Sequence, residues 1–160
     1  GVVLTHGNLL SNVDSLTQVF HMREDDCFIG VLPFFHSFGL TGTLWFPLLT
    51  GCSVVYHPNP MDAKTVGELA EQYRGSMLIS TPTFCQSYLR RCTPQQFRHL
   101  RYAIVGAEKL REPLAKAFKD TFGIGLPEGY GCTEMAPVVA ANIPDQPVGS
   151  RVQVGTKPGS

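Results

Sequence analysis

Apolar residues recur along this chain in two alternating rhythms, and the alternation predicts its architecture. In residues 5–20, Leu9, Val13, Leu16 and Phe20 fall three or four apart, drawing one apolar stripe along a helix with Thr5 placed to cap its amino end. Residues 27–32 (Cys-Phe-Ile-Gly-Val-Leu) are too few for a helix, nearly all apolar and stopped by Pro33, so they predict a buried strand. Further helices are predicted around residues 40–49, over 62–73 with Val66, Leu69, Ala70 and Tyr73 on one side, and from Pro82 through Leu89. Another opens at Glu112-Pro113 and aligns Leu114, Phe118 and Phe122. Strands are predicted at 53–56, 77–80 and 102–105, with short candidates at 124–126 and 138–141.

Near-continuous apolar strands separated by amphipathic helices predict an α/β fold with a mainly parallel sheet and helices on both faces, joined by right-handed crossovers. Residues 1–142 form this α/β unit, and 143–160, rich in Pro, Gly and polar residues, read as an extended linker toward a following subdomain. In such sheets ligands bind beyond the carboxyl ends of the strands. Three loops there have unusual composition: Pro33-Phe34-Phe35-His36-Ser37, Ser80-Thr81-Pro82-Thr83 and Gly106-Ala107-Glu108.

A fourth, Gly129-Tyr130-Gly131-Cys132-Thr133-Glu134, concentrates the chemistry. Its glycines let the main chain approach a ligand closely, Tyr130 offers a face on which a base stacks, and Thr133 offers a hydroxyl to a phosphate oxygen. Glu134 offers a hard oxygen ligand suited to Mg²⁺. Taken alone, the hexapeptide fits an ordinary strand end as well as a nucleotide site.

Composition narrows the field. With 160 residues, 43% hydrophobic and 16% charged, the chain is long enough to bury one sizeable core. Thirteen basic residues balance thirteen acidic ones with no basic run, which argues against a nucleic-acid partner. The five cysteines are scattered without a CxxC pair, so neither a disulfide framework nor a zinc site is indicated and a reducing cytoplasm is expected. No apolar run approaches the roughly 18 residues of a membrane span. Both ends read as cut, Gly1 leading straight into Val2-Val3-Leu4, so an excerpt of a longer protein is expected.

Taken in order, Gly1-Val-Val-Leu-Thr-His-Gly-Asn8, Leu32-Pro-Phe-Phe-His-Ser-Phe-Gly39, Ser80-Thr-Pro-Thr83, Val105-Gly-Ala-Glu108 and the Gly129–Glu134 hexapeptide resemble the adenylate-forming (AMP-binding) superfamily. Within it, Pro82–Pro94 and Val105–Leu110 are most similar to acyl–acyl carrier protein synthetases of the phospholipid-recycling type, with long-chain fatty-acid ligases close behind. The resemblance implies one subdomain of an enzyme that joins a fatty acid to the α-phosphate of ATP and passes the acyl group to the thiol of CoA or of the phosphopantetheine on acyl carrier protein. It implies that Thr133 contacts the phosphates, Glu134 binds Mg²⁺ and His36 lies near the adenylate. Gly106, Ala107, Glu108, Gly129, Tyr130 and Gly131 would border the nucleotide, and Phe38, Gly39, Thr81, Pro82 and Thr83 the acyl tunnel.

The residues alone leave other readings open. His36 follows two phenylalanines and fits a core histidine, and the Phe34–Phe46 run fits core packing as well as a tunnel. Cys132 has no nearby histidine to activate it and is not read as a nucleophile. The family's phosphate loop, its later ribose-binding aspartate and following arginine, and its C-terminal lysine have no counterpart here. This stretch by itself is therefore expected to be inactive in adenylation and to self-associate through faces that normally meet the missing regions. Association of the parent with the inner membrane stays open. Two alternatives remain: a peptide-synthetase adenylation domain, disfavoured because no Asp lies between Asp26 and Asp62, and a nucleotide-binding module without catalysis.

Overall fold

The computed structural model describes residues 1–142 and 151–153. Its centre is a four-stranded, all-parallel sheet in the order β2-β1-β3-β4, formed by β1 (Cys27–Gly30), β2 (Ser53–Tyr56), β3 (Met77–Ser80) and β4 (Tyr102–Val105). Because side chains alternate across a strand, each inner strand supplies both layers of core. Phe28, Met77, Ile79 and Ile104 pack against Val13, Leu16 and Val19 of α1 (His6–Val19), against Phe20 that caps it, and against Phe46. Ile29, Leu78, Ala103 and Val105 face the other way. There they meet α4 (Ala63–Gln72), α5 (Pro82–Arg91) and α6 (Glu112–Phe122) through Val66, Ala70, Tyr88 and Phe118. The α/β sheet with helices on both faces is therefore as its apolar pattern predicts.

Local chemistry sets the element ends. Thr5 caps α1 through a capping box with Asn8, and Asp62 and Thr81 cap α4 and α5. The helix expected near residues 40–49 begins earlier, as α2 (Ser37–Gly39), widens to a π-helix over Leu40–Trp45 and closes as α3 (Phe46–Thr50). Pro47 explains part of that irregularity, since it has no N–H to offer the Thr43 carbonyl. The Tyr56 hydroxyl donates to that carbonyl instead, at 2.8 Å.

Beneath the sheet, one buried ionic group ties three adjacent strands. Asp26, Ser76 and Arg101 each stand one residue before a strand, β1, β3 and β4 respectively. Arg101 donates to both Asp26 oxygens at 2.5 and 2.7 Å, and Ser76 donates to Asp26 at 2.6 Å. Burial alone raises the Asp26 pKa, but the hydrogen bonds from Arg101, Ser76 and the Arg23 N–H, with the Arg101 charge, outweigh it and hold the carboxyl below its ordinary value.

A second sheet, antiparallel and ordered β5-β6-β7, is made of β5 (Gly129–Gly131), β6 (Val138–Asn142) and β7 (Arg151–Gln153); the candidate at 138–141 is its β6, whereas the sequence reading misses β5, β7 and their pairing. The strand candidate at 124–126 is not one: Gly123, at φ 75°, ends α6, and pairing starts only after Pro127, where Glu128 bridges Val105. The strand predicted over 27–32 also ends early, at Gly30, although Val31 and Leu32 remain buried. Apart from β7, the expected linker 143–160 lies outside the described residues.

Candidate active site

The sheet order creates a divergence. From β1 the chain turns toward the α1 side and reaches β2, whereas from β3 it turns into α5 on the opposite side and reaches β4. The carboxyl ends of β1 and β3 therefore flank a crevice of the kind that binds ligands in open α/β sheets. A cavity of about 220 Å³ occupies it. Among the described residues its interior is apolar, lined by Leu16, Phe20, Phe38, Gly42, Phe46, Ile79 and Ile104, with no Asp or Glu. Its polar rim comprises His36, Ser37, Tyr130, Cys132 and Thr133. A second cavity of about 370 Å³ is lined by Glu108, Lys109, Glu128 and Asn142, and shares Ala107, Gly129, Tyr130, Gly131 and Ala141 with the first. The Gly129–Gly131 strand thus lies between an apolar pocket and one that carries charged side chains, Glu108, Lys109 and Glu128.

Close approach explains the glycines here. A Cβ on Gly106 would stand 3.1 Å from the Phe38 ring and 3.2 Å from the Gly129 carbonyl. A Cβ on Gly131 would run into the Pro137 carbonyl, which accepts the Cys132 N–H at 2.9 Å. His36 is exposed, and its Nδ1 accepts the Phe38 N–H at 3.2 Å, capping α2, so it is no core histidine. Across the rim, Ser37 Oγ and Thr133 Oγ1 are 3.1 Å apart, joining the loop after β1 to the turn after β5. Tyr130 is 69% exposed, which leaves a ring face free for stacking.

His36, Phe38, Gly106, Ala107, Gly129, Tyr130, Gly131 and Thr133, singled out in the sequence, meet around this one crevice. Glu108 lines only the polar cavity. Its carboxylate accepts both the hydroxyl and the N–H of Thr83, at 2.6 and 3.2 Å. Gly39, Thr81, Pro82 and Thr83 do not line the apolar cavity. Thr81 is buried and turned inward to cap α5, and Gly39 is pressed against the Pro33 carbonyl. The Phe34–Phe46 run divides: Phe38 and Phe46 line the cavity, while Phe34 and Phe35 are exposed. Sequence reading missed Ser37, Gly42, Ile79, Ile104 and the buried Asn12. Strand alternation signalled Ile79 and Ile104, Ser37 lies in a loop already notable for its composition, and Asn12 shows only as a polar break in the apolar face of α1; nothing local signalled Gly42.

Glu134 is exposed and makes no hydrogen bond or ion pair among the described residues. Among those residues, no group of three or more His, Cys, Asp or Glu could hold a metal. Glu134 lines neither cavity, but it follows Thr133 of the rim directly, and one free carboxylate there fits Mg²⁺, which binds through one or two carboxylates together with substrate phosphates and water. Among the described residues no helix is long and apolar enough to cross a membrane.

Comparison with known proteins agrees with this geometry. The family described as AMP-binding enzyme matches residues 1–158. The chain is 32% identical over 114 residues to a p-hydroxybenzoic acid–AMP ligase of Mycobacterium marinum, covering 70% of this chain and 16% of that protein. It is 26% identical over 147 residues to a long-chain-fatty-acid–CoA ligase of Bacillus subtilis, covering 89% and 26%. The crystal structure of ATP-bound MatB from Rhodopseudomonas palustris superposes with a TM-score of 0.83 at 28% identity, covering 92% of this chain and 29% of that one. The chain thus spans about a quarter or less of the curated relatives it matches here.

Proposed function

The chain belongs to the AMP-binding enzyme family, and on that footing we propose that it supplies the acid pocket and part of the nucleotide site of an ATP-dependent acid–thiol ligase. Such an enzyme forms an acyl-adenylate and transfers the acyl group to CoA or to the phosphopantetheine of acyl carrier protein. The observation that carries this reading is the joining of Ser37 to Thr133 across the mouth of an apolar cavity, because it sets a carboxylic acid's tail and a nucleotide's phosphates on either side of one rim.

Within that frame the acid's apolar part lies against Phe38, Phe46, Ile79 and Ile104, with its carboxylate toward the rim. Tyr130 stacks on the base, and the backbone of Ala107 and Gly129–Gly131, shared by the two cavities, borders the nucleotide. Thr133 donates its hydroxyl to a phosphate oxygen. Magnesium bound at Glu134 would offset the negative charge that grows as pyrophosphate leaves. His36 presents a donor at the rim where the carboxylate meets the α-phosphate.

The apolar interior favours a fatty acid and, with no carboxylate among the described residues that line it, offers the ammonium of an amino acid no partner there, which weighs against a peptide-synthetase domain. The relatives, which include a ligase for p-hydroxybenzoic acid, support an aromatic acid as a second reading. ATP–pyrophosphate exchange on the full-length protein, with fatty acids of graded length and with hydroxybenzoates, tests both. Acid-dependent exchange that collapses by about 100-fold or more in Glu134→Ala is expected. A folded protein that exchanges with no acid would leave a binding module without catalysis.

A further inference from the structure

Helix α1 buries one polar residue among its apolar ones. Asn12 is 3% exposed, in a row with Val13, Leu16 and Val19, where a leucine would fill the same space. A buried amide is destabilising unless hydrogen-bonded, and this one is bonded far along the chain. Its Nδ2 donates to the Val138 carbonyl at 2.8 Å and to the Met135 carbonyl at 3.3 Å, while its Oδ1 accepts the Val138 N–H at 3.3 Å. The amide therefore pairs with Val138 on both sides, as a neighbouring strand would.

These contacts grip the turn that carries Thr133 and Glu134. That turn closes on itself: Cys132 N–H donates to Pro137, Met135 N–H to Cys132 and Ala136 N–H to Thr133, with Ala136 held at φ 65°. Thr133 and Glu134 stand exposed at its apex. Among the described residues five side-chain hydrogen bonds reach the turn and its exit at Val138 from outside, one from Ser37, one from Thr41 and three from Asn12. We propose that Asn12 is a positioning residue for adenylation: it registers the Thr133–Glu134 turn against α1, and so fixes where the phosphate-binding hydroxyl and the metal-binding carboxylate stand. This rests on the proposed roles of those two residues.

The test uses the full-length protein and two substitutions. Asn12→Leu keeps the branched outline, with somewhat greater bulk, and removes every side-chain hydrogen bond; Asn12→Asp keeps the shape and the acceptor but sets a carboxylate against two carbonyls. Both are expected to lower kcat for acid-dependent pyrophosphate exchange by about 100-fold, since small misplacements of reacting groups have effects of that order. Both should also raise the Mg²⁺ concentration needed for half-maximal exchange, with KM for the acid within about twofold of wild type. The activity of Asn12→Asp should recover as pH falls, because a protonated carboxyl donates again, whereas Asn12→Leu should not. If Asn12→Leu does not fold, Asn12→Ser carries the same test. Undiminished kcat in variants whose melting temperature drops would make Asn12 a packing residue and overturn the proposal. Wild-type protein with no exchange would overturn the adenylation reading beneath it.

Discussion

Replacing Gly131 with alanine separates space from backbone conformation as the reason for a glycine beside the active site. Gly131 does not adopt a left-handed conformation, so its φ would accept any residue. What forbids a side chain is the Pro137 carbonyl, which an added Cβ would strike and which already accepts the Cys132 N–H. The oxygen is main chain and cannot rotate aside, so strand β6 must back away from β5. Overpacking of this kind destabilises by about 1–3 kcal/mol, and losing the hydrogen bond adds about 1 kcal/mol. We expect Gly131→Ala to lose about 2–4 kcal/mol and, because the same movement displaces Thr133 and Glu134, about 100-fold in kcat/KM for ATP. Gly123→Ala is the control. It sits at φ 75° with nothing within 4 Å of a built Cβ, so it should lose about 1–2 kcal/mol through backbone strain alone, with turnover unchanged. Melting curves and pyrophosphate exchange on both variants decide the matter; a Gly131→Ala enzyme within twofold of wild-type kcat/KM for ATP would refute the reasoning.

Two further predictions concern the scaffold and the thiols. Asp26→Ala leaves Arg101 without its carboxylate partner and should cost about 3–5 kcal/mol in denaturant unfolding; a loss below about 1 kcal/mol would show that the pair does not staple the strands. Because the folded pKa of Asp26 is lowered, its contribution is fully present above the unfolded value of about 3.9 and is lost as pH falls through the folded value, so the gap between wild type and Asp26→Ala should close there. Burial pushes the Cys85 and Cys92 thiols up to about 12 and about 11. At pH 8, then, iodoacetamide should label exposed Cys132 quickly and reach Cys85 and Cys92 only on unfolding, with ATP protecting Cys132; equal labelling of all three in the folded protein would contradict the burial.

Most of the parallel sheet was legible because the relevant signals are local. Each strand of β1, β3 and β4 is a short apolar run whose alternate residues feed two cores, and each covering helix shows its stripe within a dozen residues. The antiparallel sheet was not legible for the opposite reason. Gly-Tyr-Gly has too little side chain to show a strand's alternation, and what makes it one is pairing with Ala140 and Ala141, supplied by residues further on. Similarly, residues 124–126 are apolar enough for a strand but lie between a glycine that ends α6 and a proline that cannot donate to a ladder.

The site divides along the same line. His36, Tyr130, Thr133 and Glu134 carry chemistry recognisable in the residue itself, so short motifs expose them. Ser37 acts through one hydrogen bond and Asn12 through three, to residues 96 to 126 positions away, and a serine in a loop or an asparagine on a helix looks ordinary until the fold closes that distance. Even so, one trace of Asn12 does lie in the sequence: it interrupts the apolar face of α1 beside Val13, where packing alone would prefer a leucine. An unexplained polar residue on a buried helical face is thus a prompt to look for a distant backbone partner. Here the partner is the turn that carries Thr133 and Glu134, so on the roles proposed for those two residues a helix with no predicted catalytic residue of its own, α1, would set the geometry of the reaction.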